Sequence, residues 1–243
     1  MHRAAARATA AAVAVGLVLV VTGCSSRVGM PDSASARGDE VIGLWQVLFW
    51  TAAALAALVL GLLALIVVRG REGGEGRQSD GHVPLELVYT GVPLLIVAAI
   101  FLIEVRTRDR VDADGSRGRP DVVVDATAFQ WQWRFAYEGT DVQVLGSPGS
   151  QPELVLPVDQ VTTIRLHSAD VIHAFFVPGF LSKLDVIPGR DNRLDVRPTR
   201  VGTFLGHCAE FCGLDHARMN FTVRVVTAED FEAWQRDQQA AAA

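Results

Sequence analysis

The stretch Gly206-His207-Cys208-Ala209-Glu210-Phe211-Cys212-Gly213-Leu214-Asp215-His216-Ala217-Arg218-Met219 gathers two thiols, an imidazole and a thioether within twelve residues, Cys208 to Met219. It lies between two runs, 202–207 and 219–226, whose aromatic and β-branched content reads as strand, so the ligands sit on a loop joining two strands. Soft thiolate and thioether donors suit copper, and a Cys, a His and a Met close in sequence form a copper electron-transfer loop. One copper of that kind needs a single cysteine. A second cysteine four residues on offers a second thiolate, so two coppers can be bridged by both sulfurs. Each copper still needs an imidazole, and His216 supplies only one. The other must come from a distant strand end, where His173 in Asp170-Val171-Ile172-His173-Ala174-Phe175-Phe176 is the best-placed candidate. Two readings compete: a structural zinc site built from Cys208, Cys212, His216 and His173, and a Cys208–Cys212 disulfide. Zinc leaves the Met219 thioether without a role.

Outward from this loop the texture stays that of an all-β domain. Short runs at 121–128, 131–137, 142–145, 153–157, 161–167, 174–177 and 192–196 are separated by Pro, Gly, Asp and Ser. Such spacing predicts a β-sandwich or barrel. Residues 227–239 then read as an amphipathic helix with Phe231 and Trp234 on one face and acids in its first turn. Across 111–243 there are 18 Asp/Glu against 12 Lys/Arg, a negative field that would steer a basic partner. His167, His207, His82 and His2 read as bystanders. His207 adjoins a proposed ligand, but strand alternation turns it to the opposite face.

Towards the N-terminus two apolar stretches exceed what a globular core needs. Residues 41–68 run without a charge and can span a hydrocarbon core of ~30 Å with some tilt. Trp45 and Trp50 sit near one end, suited to the interface. The second span, 87–103, is bracketed by Glu86 and Glu104 and contains Pro93, which a packed membrane helix tolerates. Residues 1–23 read as a secretory signal: Arg3 and Arg7, an apolar run, then Val21-Thr22-Gly23-Cys24, the form of a bacterial lipobox whose cysteine receives lipid. Residues 24–40 then form an exposed, exported linker. With Cys24 outside, two crossings of a helical hairpin over 41–105 return the β domain to the outside as well. The Arg-containing segments after both spans give the positive-inside rule little to decide.

Composition closes off other classes. Half of the 243 residues are apolar, 20% are charged and the formal charge is −5. That excludes a disordered tail or a collagen-like fibre, and it makes a poor nucleic-acid binder, because phosphate neutralisation supplies most of that affinity. Three cysteines, Cys24, Cys208 and Cys212, are too few for a disulfide framework.

The motif Cys-x-Glu-x-Cys-x3-His-x2-Met from Cys208 to Met219, with the remote His173, resembles that of subunit 2 of the haem–copper cytochrome c oxidases. The resemblance covers the whole mature chain. It implies a membrane-anchored all-β protein, a two-helix transmembrane hairpin followed by a cupredoxin-like Greek-key β-barrel over 111–227 and a C-terminal helix and tail over 228–243. It also implies a respiratory translocase that takes electrons from cytochrome c at a binuclear copper A centre. The electrons pass to the haem of subunit 1, where oxygen is reduced to water as protons are translocated. By the same resemblance Cys208 and Cys212 bridge the coppers, His173 and His216 bind one each, Met219 is axial and Glu210 lends its backbone carbonyl. The Glu210 carboxylate would face a magnesium ion shared with subunit 1. In Phe129-Gln130-Trp131-Gln132-Trp133, Trp131 matches the residue through which electrons arrive, while Trp133 is expected to pack beneath the barrel. The residue between the two tryptophans is commonly aromatic in the family, and here it is Gln132. Glu86 matches the mouth of a proton pathway on the inner side. Asp170 matches an acid of the donor-docking patch, its usual acidic neighbour being Ala169 here, and 185–190 matches a segment near subunit 1. Subunits 1 and 3 and a soluble or membrane-bound cytochrome c are the implied partners, in a bacterial cell membrane with the copper domain on the extracytoplasmic side. The chain has no Cys-x-x-Cys-His, so no covalently attached haem is expected. A quinol oxidase subunit 2 lacks these copper ligands, and nitrous oxide reductase carries a similar loop on a soluble chain with a further catalytic domain. A lipid-anchored copper chaperone or zinc module is the reading outside redox chemistry.

Overall fold

A computed structural model describes residues 28–70, 81–116, 120–147 and 149–242. The signal segment 1–23 and the lipobox Cys24 lie outside the described residues. Two long helices come first: α1 (Ala36–Gly70) and α2 (Val83–Ser116). Both outrun the apolar stretches that predict them. At 1.5 Å per residue each reaches about 50 Å against a ~30 Å hydrocarbon core, so polar turns extend past the apolar length. α1 begins early because Ser35 caps it: Gly38 N–H donates to Ser35 Oγ at 3.0 Å, and Asp39 sits in the first turn, where the helix dipole favours an acid. α2 carries Pro93 without breaking and continues through Arg106, Arg108 and Arg110. The apolar windows of both helices are long enough to cross a membrane and none of their residues is buried within the protein, which suits a lipid surround.

The chain divides into two compact units. Among the described residues, one comprises 28–31 and 45–70; the other comprises 32–44 and the described residues from 81 onward. Within the first, the Trp45 indole donates to Val28 O at 3.2 Å, and the Trp45 and Phe49 rings lie 6.3 Å apart.

The second unit is built on ten strands: β1 (Val122–Phe129), β2 (Gln132–Tyr137), β3 (Gln143–Leu145), β4 (Glu153–Pro157), β5 (Thr162–Ser168), β6 (His173–Val177), β7 (Ser182–Val186), β8 (Asn192–Val196), β9 (Gly202–Cys208) and β10 (Asn220–Val226). They form two five-stranded sheets ordered β3-β2-β1-β5-β8 and β4-β10-β9-β6-β7. The expected barrel is thus a flattened one with two faces. β1 runs parallel to β5 and β4 parallel to β10, the other pairs being antiparallel. β7 is a strand that composition does not predict. Its Ser-Lys-Leu-Asp-Val carries two charges, which an edge strand tolerates because one side has no partner strand.

Alternating side chains from both sheets fill the core. Trp133, Phe135, Phe175 and Phe221 are buried, with ring centroids 5.7 Å apart for Trp133–Phe175, 5.3 Å for Trp133–Phe221 and 4.8 Å for Phe175–Phe221. Such pairs add about 0.5–1.5 kcal/mol each beyond their burial. Tyr137 ties β2 to β4: its hydroxyl donates to Val155 O at 3.0 Å and accepts from Val155 N at 2.8 Å. Burial pushes the Tyr137 phenol far above its ordinary range, so it stays neutral. The last helix, α3 (Ala228–Ala242), starts at Thr227, whose hydroxyl accepts from Asp230 N–H at 3.2 Å, and lays Phe231 and Trp234 on the Tyr137 ring.

The segment before α1 corrects an expectation. Residues 24–40 read as an exposed linker, yet Ala34 and Ser35 are fully buried. Ala34 N–H donates to Gly179 O at 2.7 Å, Ala36 N–H to Arg197 O at 3.0 Å, and Thr199 N–H to Ala34 O at 2.9 Å. The Ser35 hydroxyl donates to Phe180 O at 2.9 Å. A Ser- and Ala-rich stretch docks this way because small side chains let its backbone approach the sheet edge, where it satisfies backbone groups that would otherwise be buried unpaired. Ser35→Ala therefore loses both the helix cap and the bond to Phe180. It should destabilise the chain by about 1–2 kcal/mol, read as a lower Tm in detergent, whereas an exposed linker would leave Tm unchanged.

Candidate metal centre

The site forms where the second sheet runs out. β9 ends at Cys208, pinned on both sides: Cys208 N–H donates to Met219 O at 3.0 Å, and Phe175 of β6 is its register partner. β6 begins with His173, so its imidazole arrives beside Cys208 from the neighbouring strand. Ala209 N–H donates to Ala174 O at 3.1 Å, which holds the loop against β6. The chain then turns through Gly213, whose φ of +119° suits glycine, into a single 3-10 turn at His216–Arg218 that returns Met219 to the sulfurs.

The resulting cluster is compact. The ligand atoms of His173, Cys208 and Cys212 lie within 4.8 Å of one another and all three residues are buried. The two Sγ atoms are 3.8 Å apart. Both thiols are free, and a disulfide would require about 2.05 Å. Each sulfur faces its own imidazole: Cys208 Sγ to His173 Nδ1 at 3.8 Å, and Cys212 Sγ to His216 Nδ1 at 3.6 Å. Met219 Sδ is 3.8 Å from Cys212 Sγ, and the Glu210 carbonyl accepts from Cys208 at 3.2 Å. Six donors thus converge, with sulfur dominant. That donor set fits soft, thiolate-preferring copper better than zinc, for which a thioether is a poor ligand.

Electrostatics favour a cation here. Burial opposes the Cys208 thiolate, but the His173 imidazole and nearby backbone groups outweigh it and hold Cys208 below the ordinary thiol range. Burial pushes Cys212 up, and the neighbouring Cys208 charge adds to this. Two adjacent thiolates repel one another, and a bound metal removes that conflict by replacing the proton. Burial lowers His173, but hydrogen bonding to Cys208 and Asp170 reverses the balance and raises it.

The other candidate residues fall around this cluster or away from it. Trp131 is half-buried beside it, its indole donating to Cys212 O at 3.1 Å. The Glu210 carboxylate points elsewhere, 3.7 Å from Lys183 Nζ. Glu86 lies in the first turn of α2, exposed and apart from the cluster. His207 turns to the outer face and packs edge-on against Phe176, with ring centroids 5.0 Å apart. His167 sits between Asp191 at 2.8 Å and Asp125 at 3.4 Å. Trp133 lies under the site, fully buried, its ring centroid 6.4 Å from that of His173.

Sequence reasoning missed two contacts. Asp170 Oδ1 lies 2.8 Å from His173 Nε2, and the Gln130 side chain donates to Cys212 O at 2.7 Å. The spacing Asp170-x-x-His173 is the one signal that could have suggested the first. Burial opposes the Asp170 carboxylate, but hydrogen bonds from His173 and from the backbone N–H of Gln130 and Val171 outweigh it and lower Asp170 below its usual range.

Comparison with known families settles the broader class. Residues 149–226 match the family model described as cytochrome C oxidase subunit II, periplasmic domain. Residues 23–106 match the one described as cytochrome C oxidase subunit II, transmembrane domain. The chain belongs to the cytochrome c oxidase subunit II family. A probable cytochrome c oxidase subunit 2 of Streptomyces avermitilis is 36% identical, over 93% of this chain and 85% of the relative. The cytochrome c oxidase subunit 2 of Mycobacterium bovis is 32% identical, over 92% and 79%. A solved structure, the periplasmic domain of subunit II of cytochrome oxidase of Bradyrhizobium japonicum, is 36% identical, covers 52% of this chain and 99% of that one, and has a TM-score of 0.47. The chain is therefore a membrane-bound subunit of a cytochrome c oxidase of the respiratory chain, with a cupredoxin-like domain whose His/Cys/Cys group suits copper. Trp131 lies between the two matched ranges, whereas His173 and the whole loop from Cys208 to Met219 lie within the second domain.

The ligand loop depends on one close approach. A Cβ on Gly206 would overlap the Phe221 ring, which is wedged between Trp133 and Phe175. Gly206→Ala should therefore displace that ring and cost about 1–3 kcal/mol, measured as a lower midpoint in denaturant titration of the detergent-solubilised chain.

Proposed function

We propose that this chain is the electron-accepting subunit of its oxidase, taking single electrons from cytochrome c and delivering them to the haem of subunit 1, where oxygen is reduced to water and protons are translocated. The observation that carries this reading is the pairing of two free thiols 3.8 Å apart, each with its own imidazole Nδ1 beside it. Cys208 and Cys212 would hold a copper pair through their thiolates, with His173 and His216 as imidazole donors, Met219 as a thioether donor and Glu210 contributing its carbonyl. When bound, such a pair would supply a one-electron store whose charge change is spread over both metals. The chain's own part is to hold the donors still: strand ends fix His173 and Cys208, and burial excludes water from both sulfurs. Trp131 offers the port, since its ring packs on the core and its N–H reaches a ligand's carbonyl.

Three further assignments belong to the same reading. Lipid on Cys24 and two membrane crossings put the copper domain on the extracytoplasmic side of a bacterial membrane, docked on subunits 1 and 3. Glu86, at the inner end of α2, is then available to a proton path. Magnesium is a different matter: the Glu210 carboxylate faces Lys183, as does that of Asp185, so further ligands for the ion would come from subunit 1.

Metal analysis of the oxidase should find two coppers on this subunit, with a purple colour and a mixed-valence electron resonance signal shared by both. Cys212→Ser should abolish that signal, while His207→Ala, on the outer face, should leave it largely intact. A blue single-copper spectrum, or zinc alone, would overturn the proposal.

A further inference from the structure

We infer that Asp170 and Gln130 act together as positioning residues, a brace that locks both the buried ligand His173 and the ligand Cys212 to the Trp131 hairpin. The inference rests on the copper reading above and deepens it.

The brace is built from two loops of different sheets. Gln130 and Trp131 form the tip of the β1–β2 hairpin in the first sheet, between register partners Phe129 and Gln132. Asp170 sits in the short turn between β5 and β6, one element before His173. Its carboxylate has about four acceptor sites, and three are occupied. Oδ1 accepts from Val171 N–H at 2.6 Å and faces His173 Nε2 at 2.8 Å, while Oδ2 accepts from Gln130 N–H at 2.6 Å. The Gln130 amide then reaches across to Cys212 O at 2.7 Å, joining the Trp131 indole on the same carbonyl. The chain of bonds runs from His173 through Asp170 and Gln130 to Cys212. It closes through the sulfurs, Cys212 to Cys208 at 3.8 Å and Cys208 to His173 at 3.8 Å. Contact is tight at the far side as well: a Cβ on Gly213 would come within 3.1 Å of the Gln130 amide and 3.2 Å of the Trp131 ring.

This geometry gives Asp170 a defined task. The His173 imidazole is fully buried, so its Nε2–H needs a partner inside the protein. With that hydrogen directed at Asp170, the Nδ1 lone pair is left facing the sulfurs, which fixes the tautomer a metal requires. A carboxylate on the far nitrogen also makes the imidazole a stronger donor and steadies its ring plane.

The test uses the purified oxidase carrying the full chain, as wild type, Asp170→Asn, Gln130→Ala and the control Asp215→Asn. Asp215 is an acid at the same end of the domain, 3.7 Å from Arg218. Asp170→Asn keeps the shape but replaces one acceptor by a donor. It should change the hyperfine pattern of the copper signal and raise the midpoint potential of the centre. Copper retained against a chelator should fall about tenfold, as expected for loss of a carboxylate behind a ligating histidine. Gln130→Ala should slow reduction of the centre by cytochrome c with KM unchanged, and Asp215→Asn should leave spectrum and potential alone. An Asp170→Asn enzyme with unaltered spectrum, potential and copper retention would overturn the brace. Gln130→Ala indistinguishable from wild type would overturn it too. A wild-type enzyme without a two-copper signal would sink the copper reading itself, and the brace with it.

Discussion

Two thiols held 3.8 Å apart in a buried site, too far for a disulfide and too close for two uncompensated charges, are the constraint on which this molecule turns. Their separation comes from the surrounding scaffold. Cys208 is the last residue of β9, locked to β10 through Met219 and to β6 through Phe175, while Cys212 hangs on a loop fastened at both ends. The same ladder that sets the sulfurs delivers His173 from the start of β6 and Met219 from the position just before β10. Ligands scattered over 47 positions of sequence therefore meet without any long side chain having to fold inward. Rigidity of this kind suits one-electron exchange, where a site that need not rearrange between charge states transfers fastest.

Beneath the sulfurs the aromatic cluster does two jobs at once. Trp133, Phe135, Phe175 and Phe221 bring the inner faces of the two sheets together, and Trp133 also lies under His173. The core and the site share residues, so a change in packing is transmitted to ligand geometry. Gly206 belongs to this arrangement: the absence of a Cβ lets Phe221 lie over the strand two residues before the first thiolate. The small residues at the start of the first helix follow a similar logic elsewhere on the domain, where Ala34 and Ala36 join it through backbone hydrogen bonds to Gly179, Arg197 and Thr199. The chain enters its first helix already attached to the domain that the helix anchors.

Much of this was legible in the sequence, because the informative features are local. Charge-free stretches as long as 41–68 have few stable homes besides a membrane, and alternating β-branched and aromatic runs bounded by Pro, Gly and Asp mark strands wherever they occur. Nine of the ten strands lie within a residue or so of the runs that predict them, and the helix at Ala228–Ala242 follows from its acids and its two aromatics. β7 escaped because an edge strand can carry Lys183 and Asp185 and still pair on one side. The segment before α1 escaped because its composition is that of a linker, and only the edge it meets turns it into structure.

The sequence by itself determined the chemistry on offer: two cysteines, a histidine and a methionine at loop spacing, two membrane-length helices and a β domain to carry the loop. Covalent neighbours and periodicity dictate these, and both are written along the chain. Tertiary structure alone decided which distant groups complete the site and what they do there. Gln130 reaches Cys212, 82 residues away, and its N–H reaches Asp170, 40 residues away, because the β1–β2 and β9–β10 hairpins of opposite sheets and the turn before β6 end at the same place. Hydrogen bonds that cross between sheets depend on register and twist, which no local pattern encodes.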